Sequence, residues 1–340
     1  MSHYYKIVSI PGVSTEDFLA KARDEKTFIS VFQDIKLGLE QNSPETHALL
    51  SALITKQKEM GTASFFESYN FKFEKKYDLD LIIFKSTFAP EDWSNVLKTG
   101  IETYNEIQPL HGQTVCEVGC GTGILSLYMA QKGAHVIGLD LNPDAVLCSQ
   151  INALRNHLPN TEFKESNLLE NLDMSKSPTV FIACIPQIYS EDLPQEDFAG
   201  KEKRSHVTPA VGNGWDKYGL GLNAKLLEDT RTRYPKATLI LNLAGRLGEP
   251  LLSQLFAEKN YKTKQPLSTA IFKQASTGIN SPTDISAFVK LEEKEQITCE
   301  FHTTSDSRSA KITATEAQAL IAQEKPVFHS VSAYPLEPLA

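Results

Sequence analysis

The stretch Val115-Cys116-Glu117-Val118-Gly119-Cys120-Gly121-Thr122-Gly123-Ile124-Leu125-Ser126 decides the fold. An apolar strand runs into an acidic residue, then glycines at alternate positions, then a helical segment. Glycine permits φ > 0 and lets a ligand approach the main chain without meeting a Cβ. The helix that follows points free N–H groups at whatever the loop holds. A second strand, His135-Val136-Ile137-Gly138-Leu139, ends in Asp140, where a carboxylate can accept both hydroxyls of a ribose. This order builds a nucleoside-binding turn.

The same frame can hold a nicotinamide dinucleotide. That ligand asks for glycines in the order G-x-G-x-x-G. Gly119 and Gly121 fit, but the third position is Ile124. Glu117, two residues before the first glycine, repels phosphates and attracts an ammonium or sulfonium group. S-adenosylmethionine (SAM) carries both cations and no phosphate. The pattern therefore favours SAM, with Glu117, Gly119, Cys120, Gly121, Gly123, Asp140 and Leu141 in the cofactor site.

With 340 residues the chain can bury a large core in one large or two modest domains. The formal net charge is −8 with both signs mixed, which argues against a nucleic-acid partner. No apolar run of about 18 residues predicts a membrane span, and the first residues do not read as a signal peptide. The five cysteines form no CxxC pair and the eight histidines lack zinc spacing. A cytoplasmic protein with reduced thiols, no metal, a small-molecule substrate and no membrane partner is expected. A homo-oligomer is left open.

Three regions are read. Residues 1–110 form a mainly helical amino-terminal region and lid. It has a capping box at Ser14 and Asp17, helices over Phe28–Leu39 and Thr46–Glu59, a strand at Leu79–Phe84, and a helix begun at Pro90. Residues 111–275 alternate strands, near Val115, Val136, Phe163, Val180, Leu239 and Ala270, with helices. This predicts an α/β, doubly wound, mostly parallel sheet. Residues 276–340 form a β-containing addition packed on the catalytic domain: strands at Ile285–Leu291 and Ile297–Phe301, a helix at Ala314–Gln323, and a strand near Val327–Ser332.

Ligands of such sheets collect beyond the carboxyl ends of the strands. After the third strand Asn167 is placed to meet the adenine amino group, or else to cap a turn. The fourth strand, Val180–Cys184, leads into Ile185-Pro186-Gln187-Ile188. Amino-directed methyltransferases often carry Asn/Asp-Pro-Pro-aromatic there, so this chain departs from that class. Cys184 reads as an inert small residue beside the cofactor, since no paired histidine activates it.

At these residues the chain resembles methionine S-methyltransferases, specifically their amino-terminal methyltransferase part. The likeness rests on Cys184-Ile185-Pro186-Gln187-Ile188, Pro90-Glu91-Asp92-Trp93-Ser94 and Leu139-Asp140-Leu141-Asn142-Pro143. It also rests on Tyr218-Gly219-Leu220-Gly221-Leu222, Asn242–Gly248 and Thr283–Val289. It spans roughly residues 86 to 336 and stops before the aminotransferase-like domain of the long members. The resemblance implies a class I, Rossmann-like SAM methyltransferase with a seven-stranded type of mixed sheet. It also implies conversion of L-methionine to S-methyl-L-methionine, leaving S-adenosylhomocysteine. Two alternatives stay open: methylation of another small amine, thiol or thioether, and a SAM-binding regulator that transfers nothing.

A thioether has no proton to lose, so the reaction needs no general base. Alignment carries it, together with surroundings that tolerate a sulfonium. Trp93, Trp215, Tyr218 and Tyr189 are the aromatic candidates, each with packing as the plainer alternative. Tyr218, Trp215 and Gln187 are the expected catalytic side chains. Arg246, in a glycine-flanked turn, is placed to hold the substrate α-carboxylate, or else to pair with Glu249 at the surface. The Ala183 or Ile185 carbonyl and Gln187 are candidates for the α-ammonium, with Pro186 beside them. Gly212–Tyr218 reads as a loop that closes over the substrate.

Overall fold

The computed structural model describes residues 25–60, 66–73, 77–87, 92–187, 211–274, 285–306 and 308–339. In chain order, α1 (Glu25–Glu40), α2 (Pro44–Met60), β1 (Phe66–Phe73), β2 (Tyr77–Phe84) and α3 (Asp92–Ile107) come first. Then follow β3 (Thr114–Val118), α4 (Ile124–Gln131), β4 (His135–Asp140), α5 (Pro143–Arg155), β5 (Thr161–Glu165), β6 (Val180–Ala183) and α6 (Gly221–Arg233). The rest are β7 (Thr238–Ala244), α7 (Glu249–Glu258), β8 (Tyr261–Thr263), β9 (Ser268–Lys273), α8 (Ile285–Glu295), β10 (Phe301–His302), β11 (Lys311–Ile312), α9 (Ala314–Ile321) and β12 (Phe328–Pro338). Two compact units result. One is drawn from Met1–Pro90 and Gly119–Asn171, the other from Glu91–Val118 and Leu172–Ala340.

In the first unit α1 buries Val31, Phe32, Ile35 and Leu39, spaced to lie on one helix face. They pack with Leu50 and Leu53 of α2, Phe66 of β1, Ile82 and Phe84 of β2, and Leu147, Cys148 and Ile151 of α5. Phe32 meets the Phe66 and Phe84 rings edge-on at 5.4 and 4.9 Å. Such pairs contribute about 0.5–1.5 kcal/mol beyond burial. β1 and β2 form an antiparallel hairpin, with Phe66 opposite Phe84 and Phe73 opposite Tyr77. β1 was absent from the expected, mainly helical amino-terminal region. Tyr69, Phe71 and Phe73 do alternate with Asn70 and Lys72, but over five residues only, a short strand signal beside longer helical ones.

α5 serves β2 as a surrogate strand. Asn152 accepts the Ile82 N–H at 2.8 Å and donates to the Ile82 carbonyl at 2.9 Å. One helical turn on, Asn156 accepts from Asp80 N–H at 2.9 Å and donates to the Asp80 carbonyl at 2.8 Å. Carboxamides four apart on a helix thus match alternate residues of a strand. Asn152 also donates to the Thr122 carbonyl at 3.0 Å, which ties the hairpin to the glycine loop. β4 and β5 run parallel, from Val136 opposite Thr161 to Asp140 opposite Glu165.

The second unit holds the strand order β11-β10-β12-β7-β6-β3. β3, β6 and β7 are parallel. β12 runs antiparallel to β7, with Val331 opposite Ala244 and Leu336 opposite Leu239, and it also pairs β8 and β9. β6 is buried along its whole length, as a parallel strand covered on both faces must be. α3 packs on β7, β9 and β12, with Val96, Leu97 and Ile101 buried.

Two expected strands are corrected. Ile285–Leu291 lies in helix α8, whose buried positions are Ile285 and Phe288, three apart. Ile285, Phe288 and Leu291 recur three apart, so the stretch also carries a helical spacing, and Ala287 of the alternation is exposed. Ile297–Phe301 is a strand only at Phe301, because the Cys299 N–H is taken by the Glu292 carboxylate at 2.8 Å. The same carboxylate accepts the Ala314 N–H at 3.0 Å and so fixes the start of α9. The capping box at Ser14 and Asp17 and the helix start at Pro90 lie outside the described residues. Among the described residues no helix is long and apolar enough to cross a membrane.

Candidate active site

The glycine loop has the geometry its sequence demands. Gly119, Gly121 and Gly123 stand at φ of 75°, 55° and 80°. The Leu139 carbonyl accepts the N–H groups of Gly119 and Cys120 at 2.7 and 3.0 Å, which moors the loop to β4. Ser149 of α5 donates to the Gly121 carbonyl at 2.9 Å. Cys120 is buried, with its thiol 3.8 Å from the Ser149 hydroxyl of α5.

Asp140 closes this corner. One carboxylate oxygen accepts the Gly121 N–H at 2.8 Å, and the other accepts the Asn142 N–H at 2.9 Å. Burial pushes its carboxyl above the usual carboxylate range, while these N–H groups act to lower it. The Leu141 N–H acts on it as well, so three backbone donors share the carboxylate. Beyond it Leu141 is 62% exposed, an apolar side chain with nothing packed over it. Asn142 caps α5 through the Asp144 N–H and donates to the Ser86 carbonyl at 2.8 Å. Asn167 is exposed, and its amide donates to Glu170 at 2.9 Å within its own turn. Three positive-φ glycines leave the main chain of this turn without side chains, beside the Asp140 carboxylate.

In the second unit Glu117 is buried on β3 opposite Ile182. The loop after β6 is held by Gln187, whose amide donates to the Asn242 carbonyl at 2.6 Å and accepts the Ala244 N–H at 2.8 Å. Gln187 thus extends β7 sideways and fixes Cys184–Pro186 against it. Asn242, fully buried, donates to the Trp93 carbonyl at 3.1 Å and to the Cys184 sulfur at 3.3 Å. Its Oδ1 has no partner among the described residues. Asn223 of α6 donates to the Pro186 carbonyl at 3.4 Å, and its Oδ1 is likewise unpartnered. Ile185 is buried.

Arg246 follows β7 in a single 3₁₀ turn, Gly245–Leu247, and is 3% exposed. Its guanidinium lies between two aromatic faces, 5.6 Å from the Trp93 ring and 5.2 Å from that of Phe288. The surface pairing with Glu249 does not occur. Lys311 lies 2.6 Å from Glu300 and 4.0 Å from Glu249. Among the described residues the electrostatic neighbours of Arg246 are the Cys299 thiol and His329, with no carboxylate. Burial draws the guanidinium down to about 10, so it stays charged at neutral pH.

The remaining described aromatic candidates, Trp215 and Tyr218, pack on each other. Trp215 is buried, donates from its indole to Glu258 at 3.2 Å, and stacks at a tilt on Tyr218 at 5.6 Å. Lys217 lies over the Tyr218 ring and pairs with Glu295. The Asp216 carboxylate accepts the N–H groups of Val211, Gly212 and Asn213, which makes the stretch a closed turn. Tyr189 lies outside the described residues. His329 and Asn242 were not singled out by sequence. His329 carries no motif, and only its place on β12 beside the Arg246 turn brings it forward.

The methyltransferase-domain family matches residues 110–189. The methionine S-methyltransferase of Arabidopsis thaliana is 29% identical over 259 residues, covering 67% of this chain and 23% of its own. That of Wollastonia biflora is 29% identical over 264 residues, with the same coverage. Over two thirds of its length the chain is similar to the methionine S-methyltransferases. It spans under a quarter of the length of the relatives it matches. The fold is that of the class I SAM methyltransferases: parallel strands alternating with helices, one antiparallel strand beyond β7, and the glycine loop after β3. Among solved structures, a Thermus thermophilus 16S rRNA methyltransferase covers 59% of this chain and 47% of its own at 20% identity and a TM-score of 0.41.

Proposed function

We propose that this methyltransferase carries a methyl group from SAM to the sulfur of L-methionine, giving S-methyl-L-methionine and S-adenosylhomocysteine. The observation that carries the reading is Arg246, a buried guanidinium with no carboxylate among the described residues. Burying a lone charge costs several kcal/mol. Two aromatic faces return about 1–2 kcal/mol each at best. An α-carboxylate arriving with the substrate completes the group through a bidentate pair.

On the cofactor side Asp140 takes the ribose hydroxyls, the glycine loop and Cys120 pass along the nucleoside, and Leu141 covers the adenine with Asn167 at its edge. Glu117 and Cys184, in the second unit, are cofactor candidates from the sequence. When bound, SAM supplies an electrophilic methyl group that the thioether takes in line. No residue of the chain removes a proton. For the α-ammonium, the Ile185 carbonyl and the free lone pair of Gln187 supply acceptors beside Pro186, and Asn242 Oδ1 adds a third. Trp93, Trp215 and Tyr218 are assigned as aromatic faces that tolerate a sulfonium, and Tyr189 stays a candidate from sequence alone. No metal takes part in this scheme, and the protein is placed in the cytoplasm as one that acts on a free amino acid.

Mass spectrometry of SAM incubated with the protein and methionine tests the reading. A methionine product heavier by one methyl group, with matching S-adenosylhomocysteine, is expected. A product on another amine, thiol or thioether and none on methionine would replace the substrate. No product on any of them would leave a SAM-binding regulator.

A further inference from the structure

β12 passes the Arg246 turn in antiparallel register, with Val331 opposite Ala244. Continuing that register two residues sets His329 opposite Arg246. Gly245 and Ser330, the pair between them, confirm the course, since a Cβ on Gly245 would meet the Ser330 hydroxyl. His329 is 6% exposed. Trp93 of α3 lies 6.1 Å from it between ring centroids and Phe272 of β9 lies 6.2 Å away. Trp93 is also a face of the Arg246 cage, so one indole flanks both groups.

Neither ring nitrogen of His329 has a hydrogen-bond partner among the described residues. A neutral imidazole always presents one N–H donor and one acceptor. Leaving such groups buried and unpaired is costly. The charged and titratable groups acting on it are Arg246, on the turn after β7, and His302 of β10, with no carboxylate among them. Both disfavour a proton on His329. The surroundings therefore hold a neutral imidazole beside a cation, with a donor aimed at nothing. This is the complement of an anion.

We propose that His329 is the second arm of the carboxylate receptor headed by Arg246, donating one ring N–H to the α-carboxylate of the acceptor. The inference rests on the amino-acid substrate proposed above. It makes His329 a specificity residue that distinguishes an amino acid from the same thioether without its charge.

The test compares L-methionine with L-methioninamide as acceptors, using the full chain. His329→Phe keeps the ring and removes the donor. A hydrogen bond to a charged group is worth about 1.5–3 kcal/mol, so KM for methionine should rise about 10- to 100-fold. KM for methioninamide and the Kd for S-adenosylhomocysteine should not move. His329→Gln or His329→Asn should recover most of the loss, according to which nitrogen donates. An equal penalty on both acceptors, or none on methionine, overturns the proposal while wild-type methylation of methionine keeps the function standing. A wild type that does not methylate methionine overturns both. Should His329→Phe fail to fold, ¹⁵N spectra of histidine-labelled wild type decide. The ring signal that His329→Gln removes should shift with methionine and not with methioninamide; a signal still in both overturns the assignment.

Discussion

The carboxylate of Asp140 accepts the Gly121 N–H at 2.8 Å, so the residue that ends β4 is locked to the glycine loop. One side chain therefore both shapes the loop and presents the ribose acceptor. Asp140→Ala removes both functions and should raise the Kd for SAM at least tenfold, about 1.4 kcal/mol, in calorimetry. Asp140→Asn keeps one acceptor oxygen but sets an amide N–H against an N–H of the loop, so it should recover little. An unchanged Kd would show that the ribose is held elsewhere.

Gly123 stands at φ 80°, and a Cβ there would lie 2.9 Å from the Ser149 hydroxyl and 3.0 Å from its Cβ. Gly123→Ala therefore meets two penalties, the left-handed backbone at about 1–2 kcal/mol and a contact that α5 must give way to. Unfolding in urea should show a loss above 2 kcal/mol, with weaker SAM binding because the loop shifts against α5. A loss under 1 kcal/mol would mean that the loop relaxes freely.

The cofactor half of the fold was legible because its signals are local. The strand, three glycines and Asp140 lie within one βαβ unit, and backbone sterics dictate each. Of the amino-terminal hairpin, strand β2 was legible and β1 was not. β2 is satisfied by Asn152 and Asn156, some 70 residues away in the chain, and nothing near β1 announces that partnership. α8 was misread because its apolar residues satisfy both an alternation and the three-residue spacing of Ile285, Phe288 and Leu291. Arg246 was legible as a candidate because of its flanking glycines. His329 was not, since its environment is assembled from α3, β9 and the turn after β7.

Gln187 spends both ends of its amide on the backbone of β7. Gln187→Leu has similar bulk and leaves the Asn242 carbonyl and the Ala244 N–H without partners. Each such buried group costs about 1–3 kcal/mol, so a stability loss of about 2–6 kcal/mol is expected in denaturant unfolding. Under conditions where the variant stays folded, KM for methionine should rise more than the Kd for SAM, because the loop it holds carries Ile185 and Pro186. Equal changes would make Gln187 a general core residue.

Arg246→Lys retains the charge but loses the planar fork that matches a carboxylate. KM for methionine should rise about 10- to 100-fold, with the Kd for S-adenosylhomocysteine changed less than threefold. Arg246→Met fills similar space and removes the lone buried cation, so it should stabilise the free protein while abolishing discrimination between methionine and methioninamide. Equal weakening of both ligands by the lysine variant would assign Arg246 to structure alone.

His329 also marks the free protein with a pH signature whose sign is fixed. Burial, reinforced by the charges of Arg246 and His302, lowers its pKa from 6.5 to about 3. Between these values the unfolded chain takes up a proton that the folded chain refuses, so stability is full above 6.5 and falls as the pH drops toward 3. The slope approaches about 1.4 kcal/mol per pH unit, which reaches about 2–3 kcal/mol by pH 4.5. His329→Phe deletes this contribution. The stability difference between variant and wild type, measured by urea unfolding, should therefore shift in favour of the variant by that amount between pH 7 and pH 4.5. Parallel curves would mean that the imidazole takes its proton without cost in the folded state, and that it is not enclosed beside a cation.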